Sequence, residues 1–252
     1  MHELLSLPLV MIFVLVYLFA GTIKGTLGVG LPTAAVGISS QLTDPQLAVA
    51  LVVVPVFVTN AWQVYRQGQV RRMVRKLWPY TLCIWVSLWL VSQLAPSVDQ
   101  RLVFATLGAG ICAFSILGLL TQLPGIAPRF DKPAQIVAGA SAGWFGGLSA
   151  IWAPPVVIYL LTMRLDREDF VRHSGFMLGV GALPLLAGYL SNGQMPWPLP
   201  LWSLAMIVPT LIGFAMGERL RPWLGGRAFR TAVLVLFFIA GLNLLRRAVF
   251  GV

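Results

Sequence analysis

Apolar runs on the scale of a bilayer-crossing helix recur from one end of this chain to the other. The stretch LSLPLVMIFVLVYLFAG (5–21) is one, and 46–64, 77–95, 102–120, 175–190, 201–217 and 232–245 resemble it. A bilayer core takes about 20 mostly apolar residues to cross as a helix. Of the 252 residues 58% are hydrophobic and only 10% charged, where a soluble domain carries charge on about a quarter. No water-facing fold can bury so much apolar surface, so the chain is expected to be all-α and polytopic in a membrane. The opening MHE has no basic residue and its apolar run continues into a glycine tract, which argues against a cleaved signal peptide.

The net charge of +10 does not indicate a nucleic-acid partner. Such a partner needs basic residues interleaved with aromatics on one accessible face, and here they sit in short links between apolar segments. Cys83 and Cys112 both fall inside apolar segments as small packing residues. No CxxC or HExxH motif is present, and nothing calls for a metal or a cofactor.

Ten segments can be drawn: 4–23, a short 31–40, 46–65, 77–95, 98–121, 133–148, a short 151–163, 170–190, 199–217 and 228–246. Four alternate links hold fourteen of the eighteen Lys and Arg residues: Arg66, Arg71, Arg72, Arg75 and Lys76; Arg129 and Lys132; Arg164, Arg167 and Arg172; Arg219, Arg221, Arg227 and Arg230. The opposite links hold Arg101 alone, and only Arg246 and Arg247 at the far end of the last segment run against the pattern. The positive-inside rule makes the basic side cytoplasmic and puts the N-terminus outside. Counted this way, 1–124 and 125–252 are two halves of about five segments each, in opposite orientation. Each half opens with a long segment, a glycine tract and a short segment. Gly21, Gly25 and Gly28 recur at an offset of 118 as Gly139, Gly143 and Gly146. Inverted repeats with helices interrupted at matching places are a plan of secondary transporters.

The two tracts are GTIKGTLGVGLP (21–32) and GASAGWFGGLSAIWAPP (139–155). Irregular backbone at membrane depth is tolerated where protein buries it or where it lines a cavity. Glycine lets backbone amides approach a ligand, and a helix starting after the break turns its positive end toward it. Gly28, Gly30, Gly146 and Gly147 are therefore expected beside a cavity, whereas Gly21, Gly139, Gly213 and Gly217 fit small-xxx-small helix packing.

At these tracts the chain resembles the TauE/SafE family of sulfite and organosulfonate transporters, whose members carry a glycine-rich motif leading to a proline near the start of each half. The tract from Thr59 and Asn60 through Trp62, Gln63 and Arg66 to Gly68 is also similar to the family. Two features depart from it: the run of three adjacent glycines is broken in both copies, and the second proline falls about four residues late. The resemblance implies a carrier in the bacterial inner membrane, with sulfite or a small organosulfonate and the lipid bilayer as partners. A homo-oligomer is compatible with it.

The residues expected to bind substrate are Lys24, Gly25, Thr26, Gly28, Gly30, Thr33, Asn60, Ser141, Trp144, Gly146, Gly147, Ser149 and Trp152. Lys24 is the only basic residue in either tract; it either attracts the anion or snorkels to the surface. Thr26, Thr33, Ser141 and Ser149 either donate to sulfonyl oxygens or bond back to a helical carbonyl. Trp144 and Trp152 suit an organic tail or an interfacial belt, and Asn60 and Gln63 serve as ligands or packing amides. His173 could handle protons or sit idle at an interface. GASAG also fits G-x-S-x-G, but a serine-hydrolase elbow needs a strand before the serine, and no enzyme is expected. All eight acidic residues fall in links or at segment ends, which argues against carboxylate-mediated proton coupling and favours export by alternating access.

Overall fold

A computed structural model describes residues 7–119, 123–224 and 227–250. Glu3, the start of the first expected segment at residue 4 and the end of the fifth at 121 lie outside the described residues. The described residues form helices joined by short links, with no strand among them. The elements are α1 (Leu7–Leu27), α2 (Leu31–Leu42), α3 (Pro45–Gln67), α4 (Val70–Leu94), α5 (Gln100–Leu119), α6 (Asp131–Ser149), α7 (Ala153–Thr162), α8 (Arg167–Ser191), α9 (Leu199–Ala205), α10 (Ile207–Leu224) and α11 (Arg227–Phe250). Among the described residues seven apolar stretches are long enough to cross a membrane, so the polytopic α-helical class holds. α2 and α7 are too short to do so. The basic link after α3 is itself helical: Arg71, Arg72, Arg75 and Lys76 lie in the first turns of α4, ahead of a kink at Leu77 and Pro79.

Local chemistry sets the helix ends. Asp44 caps α3 by accepting from the Gln46 amide at 2.8 Å, and Asp166 caps α8 by accepting from the Asp169 amide at 2.8 Å. Proline follows the first residue of both α2 (Pro32) and α7 (Pro154), where a missing N–H is harmless. These ends share one spacing of 122 residues: Leu27 to Ser149 at the ends of α1 and α6, Leu31 to Ala153 at the starts of α2 and α7, Asp44 to Asp166 at the caps. Inside α3, Pro55 cannot donate to the Leu51 carbonyl. The Ser203 hydroxyl supplies the missing bond at 2.8 Å, tying α3 to α9.

The most extensive helix pairings are α1 with α10, α4 with α6 and α5 with α11. Water-driven burial contributes little between helices in lipid, so close approach has to come from small residues. A Cβ on Gly21 would lie 2.3 Å from the Thr210 carbonyl oxygen, and one on Gly213 2.0 Å from that of Leu18. On the α4–α6 seam a Cβ on Gly139 would lie 2.7 Å from the Tyr80 carbonyl oxygen, and one on Gly143 2.5 Å from the Ser87 Cβ. Gly108 and Gly241 play the same part between α5 and α11. A Cβ on Gly217 would likewise lie 2.2 Å from the Thr22 carbonyl oxygen, so the packing expected of Gly21, Gly139, Gly213 and Gly217 is what these contacts describe.

Candidate functional site

α1 and α6 end in the same way. The Gly28 amide donates to the Lys24 carbonyl at 2.7 Å with Gly28 at φ +83°, and the Ala150 amide donates to the Gly146 carbonyl at 2.9 Å with Ala150 at φ +54°. Both are left-handed C-terminal caps. The chain then turns through Val29–Gly30 and through Ile151–Trp152 before α2 and α7 begin. The two breaks face each other across one small cavity, lined by Lys24, Val29–Thr33 and Asn60 on one side and by Ile151–Ala153 and Leu178 on the other.

Lys24 does not snorkel. It is 2% exposed, and its ammonium donates to Thr59 Oγ1 at 3.0 Å and to Asn60 Oδ1. Both acceptors are neutral, and no acidic side chain is buried among the described residues. A buried ammonium without a counter-charge is costly unless an anion joins it. Beside it, the Thr33 hydroxyl is buried at the start of α2 without a hydrogen-bond partner. Buried hydroxyls are as a rule paired, so Thr33 has unused hydrogen-bonding capacity at the cavity wall.

The second half supplies a different wall. At the 122-residue spacing Lys24 matches Gly146, Thr59 matches Gly181 and Gly30 matches Trp152. The Trp152 indole fills the room that both glycines leave. A Cβ on Gly146 would lie 3.1 Å from the Trp152 Cβ, and one on Gly181 3.1 Å from its Nε1. That N–H donates to the Leu178 carbonyl at 3.2 Å. Pro154 and Pro155 also remove two backbone donors from the first turn of α7, where α2 loses only one to Pro32. The cavity is thus polar on the α1–α2–α3 side and apolar on the α7–α8 side, rather than framed by two equivalent amide-rich helix ends. Its open volume is about 10 Å³, at the threshold of about 10–15 Å³ for one water, so the site is closed around its own side chains.

Of the expected site residues, Lys24, Gly30, Thr33, Asn60 and Trp152 come together here. Gly28 caps α1 beside them. The others are placed elsewhere, each for a physical reason. Gly25 packs against α10, where a Cβ would meet the Phe214 carbonyl oxygen at 2.2 Å, and Thr26 Oγ1 donates to the Thr22 carbonyl at 2.7 Å. Gly146 and Gly147 lie inside α6 rather than at the break, which comes one turn later at 150–152. Gly147 packs on Val91, and Gly146 makes room for Trp152. Ser149 donates to the Phe145 carbonyl at 2.6 Å and accepts from the Ile151 amide at 3.2 Å, fixing the turn. Ser141 donates to the Val137 carbonyl at 2.6 Å within unbroken helix, not at a strand-to-helix elbow, and Trp144 is 54% exposed. His173 does not line the cavity; its Nδ1 lies 2.7 Å from the Asp169 carbonyl. Missing from the expected set are Thr59, which holds the ammonium, and Ile151 and Leu178, which form the apolar wall. Thr59, Asn60 and Gln63 signal themselves as three polar residues on one face of an otherwise apolar span.

The family model for the sulfite exporter TauE/SafE matches residues 13–244, nearly the whole chain. No match was found among curated proteins or among solved structures. The match takes in both breaks, Lys24 and the α3 polar residues, and that family is one of membrane transporters: the chain belongs to the TauE/SafE sulfite exporter family.

Proposed function

We propose that this protein exports sulfite or a small organosulfonate across the bacterial inner membrane, binding the anion between its two helix breaks. The observation that carries this is the buried Lys24 ammonium, held only by neutral acceptors and lying in one cavity with the unpartnered Thr33 hydroxyl. Lys24, Thr33 and the α2 amides would hold the oxyanion, and Ile151, Trp152 and Leu178 would face its less polar side. The closed cavity then corresponds to an occluded stage of alternating access, in which a guest enters only as the helices part.

Residues 1–124 and 125–252 act as two inverted repeats in this account. The 122-residue spacing supports it, and so do the helix pairings: exchanging α1 with α6 and α4 with α10 turns one seam into the other. The arginine-rich side is cytoplasmic, with the N-terminus outside. A negative-inside potential favours anion efflux by about 2.3 kcal/mol per charge per 100 mV, roughly a fiftyfold gradient, so export needs no buried carboxylate. Flux of radiolabelled sulfite in proteoliposomes with a clamped potential tests the proposal. Electrogenic flux following the potential is expected; potential-independent flux that follows a pH gradient would contradict it.

A further inference from the structure

Between the first half of α6 and the last half of α7 lies a groove of about 680 Å³, walled by Phe130, Pro133, Val137, Pro155 and Ile158 among others. That volume is in the range of about 300–1,000 Å³ that holds a small ligand. Val137 is 68% exposed and Ile158 is exposed, so the groove opens at the surface. It follows α6 from its first turn to Ser141, about 15 Å at 1.5 Å per residue. The hydroxyls on its walls are already used. Ser141 donates to the Val137 carbonyl at 2.6 Å, Thr162 to the Tyr159 carbonyl at 2.6 Å, and Tyr159 to Asp131 at 2.7 Å. What the groove offers a guest is hydrocarbon.

Its mouth is different. The Arg129 guanidinium lies over the Phe130 ring, 4.7 Å from the centroid, and exposed Lys132 immediately precedes Pro133. A Cβ on Gly125, which also lines the groove, would lie 3.5 Å from Arg164 Nε, so the bare backbone there lets that guanidinium rest on the link. Among the described residues none of these three cations has a carboxylate partner. The acidic groups nearest them in sequence are engaged otherwise. Asp131 accepts from the Tyr159 hydroxyl at 2.7 Å and the Gln135 amide at 2.9 Å, which holds it against α7, and Asp166 caps α8. Three cations therefore stand unneutralised at one end of an apolar groove, on the arginine-rich side of the molecule.

We propose that this groove is a site for one anionic phospholipid of the adjoining leaflet, with an acyl chain between α6 and α7 and the phosphate at Arg129, Lys132 and Arg164. A neutral lipid would fill the groove and leave the cations unmatched; a soluble anion would match the cations and leave the groove exposed. An anionic phospholipid carries both chemistries, and basic pockets between membrane helices attract such headgroups. The α6–α7 hairpin also carries the second break, so the lipid braces that half of the fold. The site does not depend on what Lys24 holds.

Native mass spectrometry of the delipidated protein in neutral detergent tests it, with phosphatidylglycerol and phosphatidylcholine of equal chain length as probes. The first phosphatidylglycerol should bind roughly tenfold more tightly than phosphatidylcholine and raise the thermal midpoint; equal affinities would overturn the site. Replacing Arg129, Lys132 and Arg164 together by Gln breaks no internal ion pair and should remove most of the preference, while each single replacement removes part of it. A preference that survives all of these would overturn the headgroup assignment. Replacing Arg71, Arg72 and Arg75 on α4 by Gln removes the same charge elsewhere and should leave most of the preference. An equal loss there would make the preference a matter of overall charge and overturn the site. Val137→Trp on the exposed wall should fill the groove and weaken both lipids severalfold; unchanged binding would overturn the acyl-chain seat. Glycerol phosphate, a headgroup without chains, should not displace bound phosphatidylglycerol at equal concentration. Displacement would give the cations to a soluble phosphate instead and overturn the lipid.

Discussion

Gly25 and Gly217 meet at bare backbone: a Cβ added to Gly25 would lie 3.0 Å from the Gly217 Cα and 2.2 Å from the Phe214 carbonyl oxygen. Neither neighbour is a side chain that can swing away. Gly25→Val should therefore separate α1 from α10 and destabilise the protein by about 1–3 kcal/mol or more. A lowered thermal midpoint in detergent checks this. An unchanged midpoint would mean that the seam is looser than these contacts imply.

Thr33 allows function to be separated from folding. Its hydroxyl has no partner, so Thr33→Val removes no internal hydrogen bond and should leave the thermal midpoint essentially unchanged. A bond to a charged group contributes about 1.5–3 kcal/mol, so affinity for sulfite or sulfoacetate should fall roughly tenfold or more, while Thr33→Ser retains it. Equilibrium binding to the purified variants is the measurement.

Trp152 is buried, with its indole over Gly146 and Gly181. Trp152→Ala should cost about 3–5 kcal/mol of stability and enlarge the apolar wall. Competition against labelled sulfite should then shift toward bulkier organosulfonates. Trp152→Phe, which loses the N–H to Leu178 but keeps most of the volume, should preserve the original selectivity.

Ser141 and Trp144 lie outside the cavity. Ser141→Ala and Trp144→Ala should each leave sulfite flux within about twofold of the unaltered protein, the scale of substitutions away from packed or charged features. A loss of flux in either would extend the site to the outer face of α6.

Hydropathy made the helices legible, because span length and apolarity are properties of short stretches. The first break was legible too, with Gly28 and Gly30 both at positive φ. The place of the second was legible as well, between segments 133–148 and 151–163, but not the residues that make it: the one at positive φ there is Ala150, while Gly143, Gly146 and Gly147 serve close packing inside α6. The glycine echo at 118 thus differs from the 122-residue spacing that Pro32 and Pro154, and Asp44 and Asp166, share. Proline and capping aspartate report helix starts directly; glycine reports either a turn or a tight seam, and only tertiary contacts tell which. The same ambiguity hid the unequal walls, since a glycine opposite Lys24 or Thr59 acquires meaning only once Trp152 fills the space.

Lys24 offers the most direct measurement. Methionine approximates its length without its charge, so equilibrium binding of labelled sulfite to Lys24→Met isolates the ammonium. Affinity should fall roughly ten- to a hundredfold, the scale of a lost charged hydrogen bond, while Lys24→Arg retains part of it. Binding by a folded Lys24→Met variant as tight as that of the unaltered protein would contradict an anion held at the two breaks.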